Sequence, residues 1–143
     1  NYPNDPGTAT SLNNFANALE TNEQFADAEA LYHKAEEILR GGAGTPGKLA
    51  DVLNNIAYLA KKAGRFDDAT NYYLEAFSLL KNLDDSSYNF KSIVICFNLS
   101  RLFEDSDRIQ AIEWCELGLS MADNFLEEGH DLFEALREQR LSL

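Results

Sequence analysis

The feature that most constrains this chain is that it repeats itself. Leu12-Asn13-Asn14-Phe15-Ala16 returns as Leu53-Asn54-Asn55-Ile56-Ala57 and, more faintly, as Cys96-Phe97-Asn98-Leu99-Ser100. A second block follows each copy: Phe25-Ala26-Asp27-Ala28 with Tyr32 and Ala35, then Phe66-Asp67-Asp68-Ala69 with Tyr73 and Ala76, then Ile109-Gln110-Ala111 with Cys115 and Gly118. The anchors Ala16, Ala57 and Ser100 lie 41 and 43 residues apart, and Ala28, Ala69 and Ala111 lie 41 and 42 apart. A period of this length means small supersecondary units, each unable to bury its apolar face alone, stacked on their neighbours. Apolar residues recur at helical spacing, and no sustained alternation flanked by hairpin turns interrupts them, so the expected fold is all-α. Hydrophobic content of 45% and charged content of 25% suit a soluble, ordered chain.

The breaks in periodicity set the expected boundaries. Repeat 1 spans about 9–41, repeat 2 about 48–83 and repeat 3 about 87–123. A last helix over about 127–141 carries Leu132, Phe133, Leu136 and Leu141 on one stripe, and is either a cap or the first helix of an incomplete repeat. The 143 residues fit a single domain, and the opening inside an inter-repeat loop suggests a piece of a longer array. Gly41 and Gly64 follow segments ending in basic residues, so each is expected to take the left-handed cap of a helix.

The spacing of small residues explains how each unit closes. Two antiparallel helices approach at the short end of the roughly 8–10 Å range only where small side chains meet. Ala16 against Ala28, Ala57 against Ala69 and Ser100 against Ala111 supply that contact, with Leu19 beside Phe25 and Phe15 beside Tyr32 filling the flanks.

These blocks resemble the tetratricopeptide repeat family, in the long-period variety of roughly 42 residues seen in kinesin light chains and bacterial arrays. The opening Asn4-Asp5-Pro6-Gly7-Thr8-Ala9-Thr10-Ser11-Leu12-Asn13-Asn14-Phe15-Ala16 is similar to that variety's loop and first helix. The third copy departs from it, with Arg108 near the place of an expected aromatic and a turn one residue shorter. The resemblance implies a right-handed superhelical solenoid of antiparallel helix-turn-helix repeats, whose first helices line a concave groove. The family's chaperone-tail version clamps a terminal carboxylate with basic residues and asparagines. Asn17 and Asn55 match its asparagines, but Asn13, Val94 and Asn98 stand where its basic residues would be, which disfavours that ligand.

One motif points elsewhere. Gly42-Ala43-Gly44-Thr45-Pro46-Gly47-Lys48 fits the first seven places of the phosphate-binding loop pattern. Such a loop follows a buried strand, opens a helix and continues with a magnesium-binding hydroxyl. Here it follows a helix ending near Arg40, and Leu49 takes the hydroxyl's place, so a linker between repeats is expected. His33 and His130 lie far apart in polar surroundings, and Glu36-Glu37, Asp67-Asp68 and Glu127-Glu128 point to different helical faces. They read as solvated surface. Cys96 and Cys115 read as buried reduced thiols of a cytoplasmic protein, with a disulfide as the alternative. The expectation is a protein without enzymatic activity, cofactor or metal.

A binding surface remains. Asn13, Asn14, Asn17, Asn54, Asn55, Tyr58, Asn98 and Arg101 interleave with the apolar stripe of the first helices, and Phe97 lies among them. Amides donate and accept, so a row of them can hold an extended peptide without demanding one sequence. The alternative is structural: Asn14, Asn55 and Asn98 could satisfy neighbouring groups between helices. Lys61, Lys62 and Arg65 make repeat 2 the least acidic, and read as helix-end cations with an anion-recognition patch as the alternative. With 24 acidic and 12 basic residues, the net charge of −12 excludes nucleic acid and anionic membrane and steers in a basic partner. The expected function is a protein–protein interaction scaffold holding a peptide or partner domain. The alternative is a regulatory or self-association module of a larger signalling or transcription-regulatory protein.

Overall fold

The computed structural model describes residues 4–42, 44–81, 83 and 86–143. These form α1 (Pro6–Thr21), α2 (Phe25–Arg40), α3 (Pro46–Lys62), α4 (Phe66–Leu80), α5 (Ser86–Phe103), α6 (Arg108–Phe125) and α7 (Asp131–Ser142), with no strand among the described residues. The chain divides into two compact units, Asn1–Ala76 and Phe77–Leu143, the boundary falling within α4.

In the first unit, helix starts follow from capping. Asp5 accepts the Thr8 backbone N–H at 2.9 Å, and Pro6 occupies the first turn, where its missing N–H costs nothing. The Thr8 backbone hydrogen bond holds the Asp5 carboxyl below the ordinary carboxylate range. Thr45 caps α3 in the same way, accepting from the Lys48 N–H at 3.4 Å, again before a proline. The glycine-rich stretch is therefore the joint between α2 and α3, and of its residues Ala43 lies outside those described.

Helix ends carry one correction. α3 closes as expected: Gly64 adopts φ 77°, with Gly64 N–H donating to Lys61 O at 3.0 Å and Arg65 N–H to Ala60 O at 2.9 Å. Gly41, however, has φ −70°, and Gly42 takes the left-handed conformation at φ 95°. α2 keeps right-handed geometry one residue further. At the end of α1 the same closure falls on a residue with a side chain: Glu23 adopts φ 61°, and Gln24 N–H reaches Leu19 O at 2.9 Å.

The core of this unit is built as the small residues require. Ala16 and Ala28 are fully buried in one cluster with Leu12, Tyr32, Ala35 and Ile38, and Val52, Ile56 and Leu59 of α3 complete it. Ala57 and Ala69 are also fully buried. Leu19 packs against the cluster, but Phe15 is 59% exposed and lies on the outer side of α1 instead of filling the flank beside Tyr32. Its counterpart one period on, Ile56, is buried because α3 has α2 to cover, whereas the equivalent side of α1 faces no helix among the described residues of this unit. Arg40 ties the end of α2 to α4 through a two-pronged pair with Glu75, at 2.6 and 2.9 Å.

The second unit shows the third small-residue contact directly: the buried Ser100 hydroxyl donates to Ala111 O at 2.8 Å. Asp107 caps α6, accepting from Gln110 N–H at 3.1 Å. Phe77 meets Trp114 edge-on at 5.2 Å. Cys96 and Cys115 are free and buried, and burial pushes the Cys96 thiol up to about 12, leaving no thiolate at neutral pH. The Cys115 thiol donates to Leu136 O of α7 at 3.3 Å.

α7 begins at Asp131, four residues later than expected, with His130 as its cap: the ring Nδ1 accepts the Leu132 N–H at 3.2 Å. Its buried stripe is Phe133, Leu136 and Gln139, with Leu132 and Leu143 packed alongside. Leu141 is 87% exposed, so it leaves the stripe. Five residues after Leu136 is about 140° around the helix, while residues three, four and seven on stay on the buried side.

Candidate partner-binding face

The asparagines of the first unit fall into one hydrogen-bonded group. Asn55, on α3, donates from Nδ2 to Asn13 Oδ1 at 3.0 Å and to Asn17 Oδ1 at 3.3 Å, both on α1. The Tyr32 hydroxyl of α2 rises to the same place, 2.5 Å from Asn17 Oδ1 and 2.8 Å from Glu20 Oε2. Three helices thus meet through one set of polar groups. A phenol has one proton, so Tyr32 divides it between an amide oxygen and a carboxylate. Burial, and then the hydrogen bond to Glu20, push its pKa well above the ordinary phenol range, so it remains a donor.

Orientation within this group decides what the face can offer. The Asn13 and Asn17 carbonyl oxygens are turned toward Asn55, which leaves their NH2 groups, and the Asn55 carbonyl, outside these bonds. Asn17 is exposed and Asn13 and Asn55 are half-buried, so the group lies at the rim between α1 and α3. Asn14 is exposed on α1, and Asn54 is half-buried on α3. Tyr58, 38% exposed, has its ring 5.0 Å from the Lys62 ammonium.

The remaining expected residues belong to the second unit. There Arg101 lies 6.0 Å from the Phe97 ring and pairs with Glu104 at 3.2 Å, and Glu104 in turn accepts from Gln139 of α7 at 3.0 Å. Arg101 therefore braces the end of α5. Asn98 is half-buried.

Sequence reasoning missed Glu20 and Tyr32, the two residues that anchor the amide group from below. Their signal was present in the spacing, since Asn17 and Glu20 lie three apart on one helical face and Tyr32 is the large polar residue of the facing helix. Carrying this geometry one period forward exposes a difference. Tyr58 and Lys61 occupy the places of Asn17 and Glu20, and Tyr73 that of Tyr32. The Tyr73 hydroxyl, fully buried, has no hydrogen-bond partner among the described residues. Burial is the main cause that makes it a still weaker acid than free phenol.

Among the described residues, no group of His, Cys, Asp and Glu is arranged to hold a metal ion, and no helix is long and apolar enough to cross a membrane. By sequence, the family described as Tetratricopeptide repeat matches residues 8–40 and 49–83. No curated protein matches significantly. Among solved structures, BtubC (BKLC) from P. vanneervenii is similar with TM-score 0.78 and 22% identity, over 94% of this chain and 57% of that one. The nearly identical TPR-like repeats of a kinesin light chain protein from Podosopora anserina align with TM-score 0.76 and 16% identity, over 97% of this chain and 66% of that one. The chain thus has the all-α repeat-solenoid fold and spans less than two thirds of either structure.

Proposed function

Because the chain belongs to the tetratricopeptide repeat family, with kinesin light chain-like repeats that generally serve as protein–protein interaction scaffolds, we propose that its asparagine-bearing face holds an extended segment of a partner protein. The observation that carries this reading is the double donation from Asn55 to Asn13 and Asn17. Fixing both carbonyls leaves two amide donors four residues apart, about 6 Å along the axis. Alternate carbonyls of an extended chain are about 6.8 Å apart. Two neighbouring carbonyls on one side of a peptide therefore meet two preset donors, and the Asn55 carbonyl offers an acceptor for the intervening N–H.

Main-chain recognition of this kind gives affinity without a sequence requirement; Asn14, Asn54 and Tyr58 add contacts along the same face. Within the second unit, Phe97, Asn98 and Arg101 are the residues of repeat 3 offered to a partner. The structural role of Asn55 is part of the same arrangement: the bonds that tie α3 to α1 are those that aim the donors. The repeats are taken as about 9–41, 48–83 and 87–123, with α7 as a cap or the first helix of an incomplete repeat. The acidic chain steers a basic partner toward the asparagine-bearing face in the cytoplasm.

The test is affinity capture with the chain and with a variant carrying Asn54, Asn55 and Tyr58 all changed to Ala, its helicity checked by circular dichroism. The proposal requires proteins that the parent captures and the folded variant loses. Equal retention of every captured protein refutes it.

A further inference from the structure

A pocket of about 390 Å³ opens beside this face, between the first turn of α2 and the last turn of α3. Its apolar lining is Ala26, Leu59 and Ala63, with the Phe25 ring as one wall. Two cations, Lys62 and Arg65, and one carboxylate, Glu29, complete it, leaving it net positive on a chain of net charge −12. Arg65 is engaged with Glu29 at 2.5 Å and so links the two repeats. Lys62 is placed differently: its ammonium sits 4.9 Å from the Phe25 ring centre and 5.0 Å from that of Tyr58.

The repeat does not demand these cations. The equivalent positions are Thr21 and Gln24 in repeat 1 and Asp105 and Asp107 in repeat 3, and those turns close without a basic residue. Two aromatic faces hold Lys62 at the edge of an apolar hollow while leaving its N–H groups able to donate away from the rings. A cationic ligand is excluded, because Lys62 already covers both rings. We propose that this pocket takes an apolar side chain of a partner segment whose adjacent acidic residue pairs with Lys62. It is a charge preference opposite to the one the whole chain exerts at long range. The inference rests on the reading of the chain as a partner-binding module, but not on the asparagine face.

Three capped dipeptides serve as probes: acetyl-Leu-Asp-amide, its neutral isostere acetyl-Leu-Asn-amide, and acetyl-Leu-Lys-amide. Methyl resonances of Ala26, Leu59 and Ala63 are followed by NMR during titration. Acetyl-Leu-Asp-amide is expected to shift all three saturably, at least tenfold more tightly than either analogue, and to weaken as salt is raised. Lys62→Gln should abolish that preference while the spectrum stays folded, whereas Asn13→Ala with Asn17→Ala should leave it unchanged. If the Asn13→Ala, Asn17→Ala variant loses peptide capture with its dipeptide shifts intact, the pocket is supported independently; if it keeps capture and loses the shifts, the pocket alone is sunk. Equal binding of the three dipeptides, an undiminished preference in Lys62→Gln, or equal shifts from inorganic phosphate would overturn the assignment.

Discussion

Replacing Tyr73 by Phe should stabilise the protein, although Tyr73 is among its largest fully buried residues. The ring keeps its packing, and what is lost is a hydroxyl with no hydrogen-bond partner among the described residues. Leaving such a group unpaired costs about 1–3 kcal/mol. Allowing for the few contacts the oxygen makes, the variant should gain about 1 kcal/mol. Tyr32→Phe is the control at the equivalent place one repeat earlier, where the hydroxyl meets Asn17 and Glu20. A hydrogen bond to a charged group contributes about 1.5–3 kcal/mol, discounted here because Glu20 is half-exposed, so a loss of about 1–2 kcal/mol is expected. With an unfolding entropy of about 2.1 cal/mol/K per residue over 143 residues, each kcal/mol moves the midpoint by about 3 °C. Thermal and urea unfolding followed by circular dichroism should therefore show opposite signs for one substitution at two equivalent positions. If Tyr73→Phe lowers the midpoint as Tyr32→Phe does, its hydroxyl is satisfied in solution and the comparison of the two repeats is wrong.

Other perturbations follow from the same geometry. Glu23→Gly should stabilise by about 0.5–1 kcal/mol, since a side chain at φ 61° is strained where Gly64 is not, and a denaturant midpoint that falls would contradict this. Ala57→Leu should cost about 1–3 kcal/mol by overpacking the buried contact of the second hairpin; an unchanged urea midpoint would show that site to be loose. Hydrogen bonds from backbone N–H groups depress the Asp5 and Asp107 carboxyls, so both contribute stability above the unfolded carboxylate pKa of about 3.9 and lose it as pH falls below that value toward the lower folded one. Asp5→Asn with Asp107→Asn should flatten that part of the stability–pH curve, and an unaltered curve would remove the caps from the account.

How far the sequence could be read depended on whether a feature repeats. Ala16, Ala28, Ser100 and Ala111 announce their contacts because close helix approach tolerates few residue types, and their period marks the hairpins without any structure. Single departures were harder. Glu23 sits where Gly64 does, and only the backbone reveals that a residue with a side chain bears the left-handed turn. Phe15 aligns with Ile56 and looks like core, but burial depends on what covers a helix, which the residue itself does not encode. Leu141 was placed on a stripe by its type, whereas the angle around α7 assigns that place to Gln139. The amide face was legible as a set of positions, and its direction was not. Which atom of Asn13 or Asn17 turns outward is decided by Asn55 and Tyr32 on other helices. The Lys62 placement likewise depends on side-chain conformations at the ends of two helices.

The most direct measurement is a ¹⁵N–¹H spectrum of the Asn13 and Asn17 side-chain amides, recorded as a captured partner segment is added. Bound donors should move downfield in step with saturation, and Asn13→Ala with Asn17→Ala should weaken binding at least tenfold in a chain that remains helical. Side-chain amides that stay in place at saturation, while resonances on another surface move, would contradict the account.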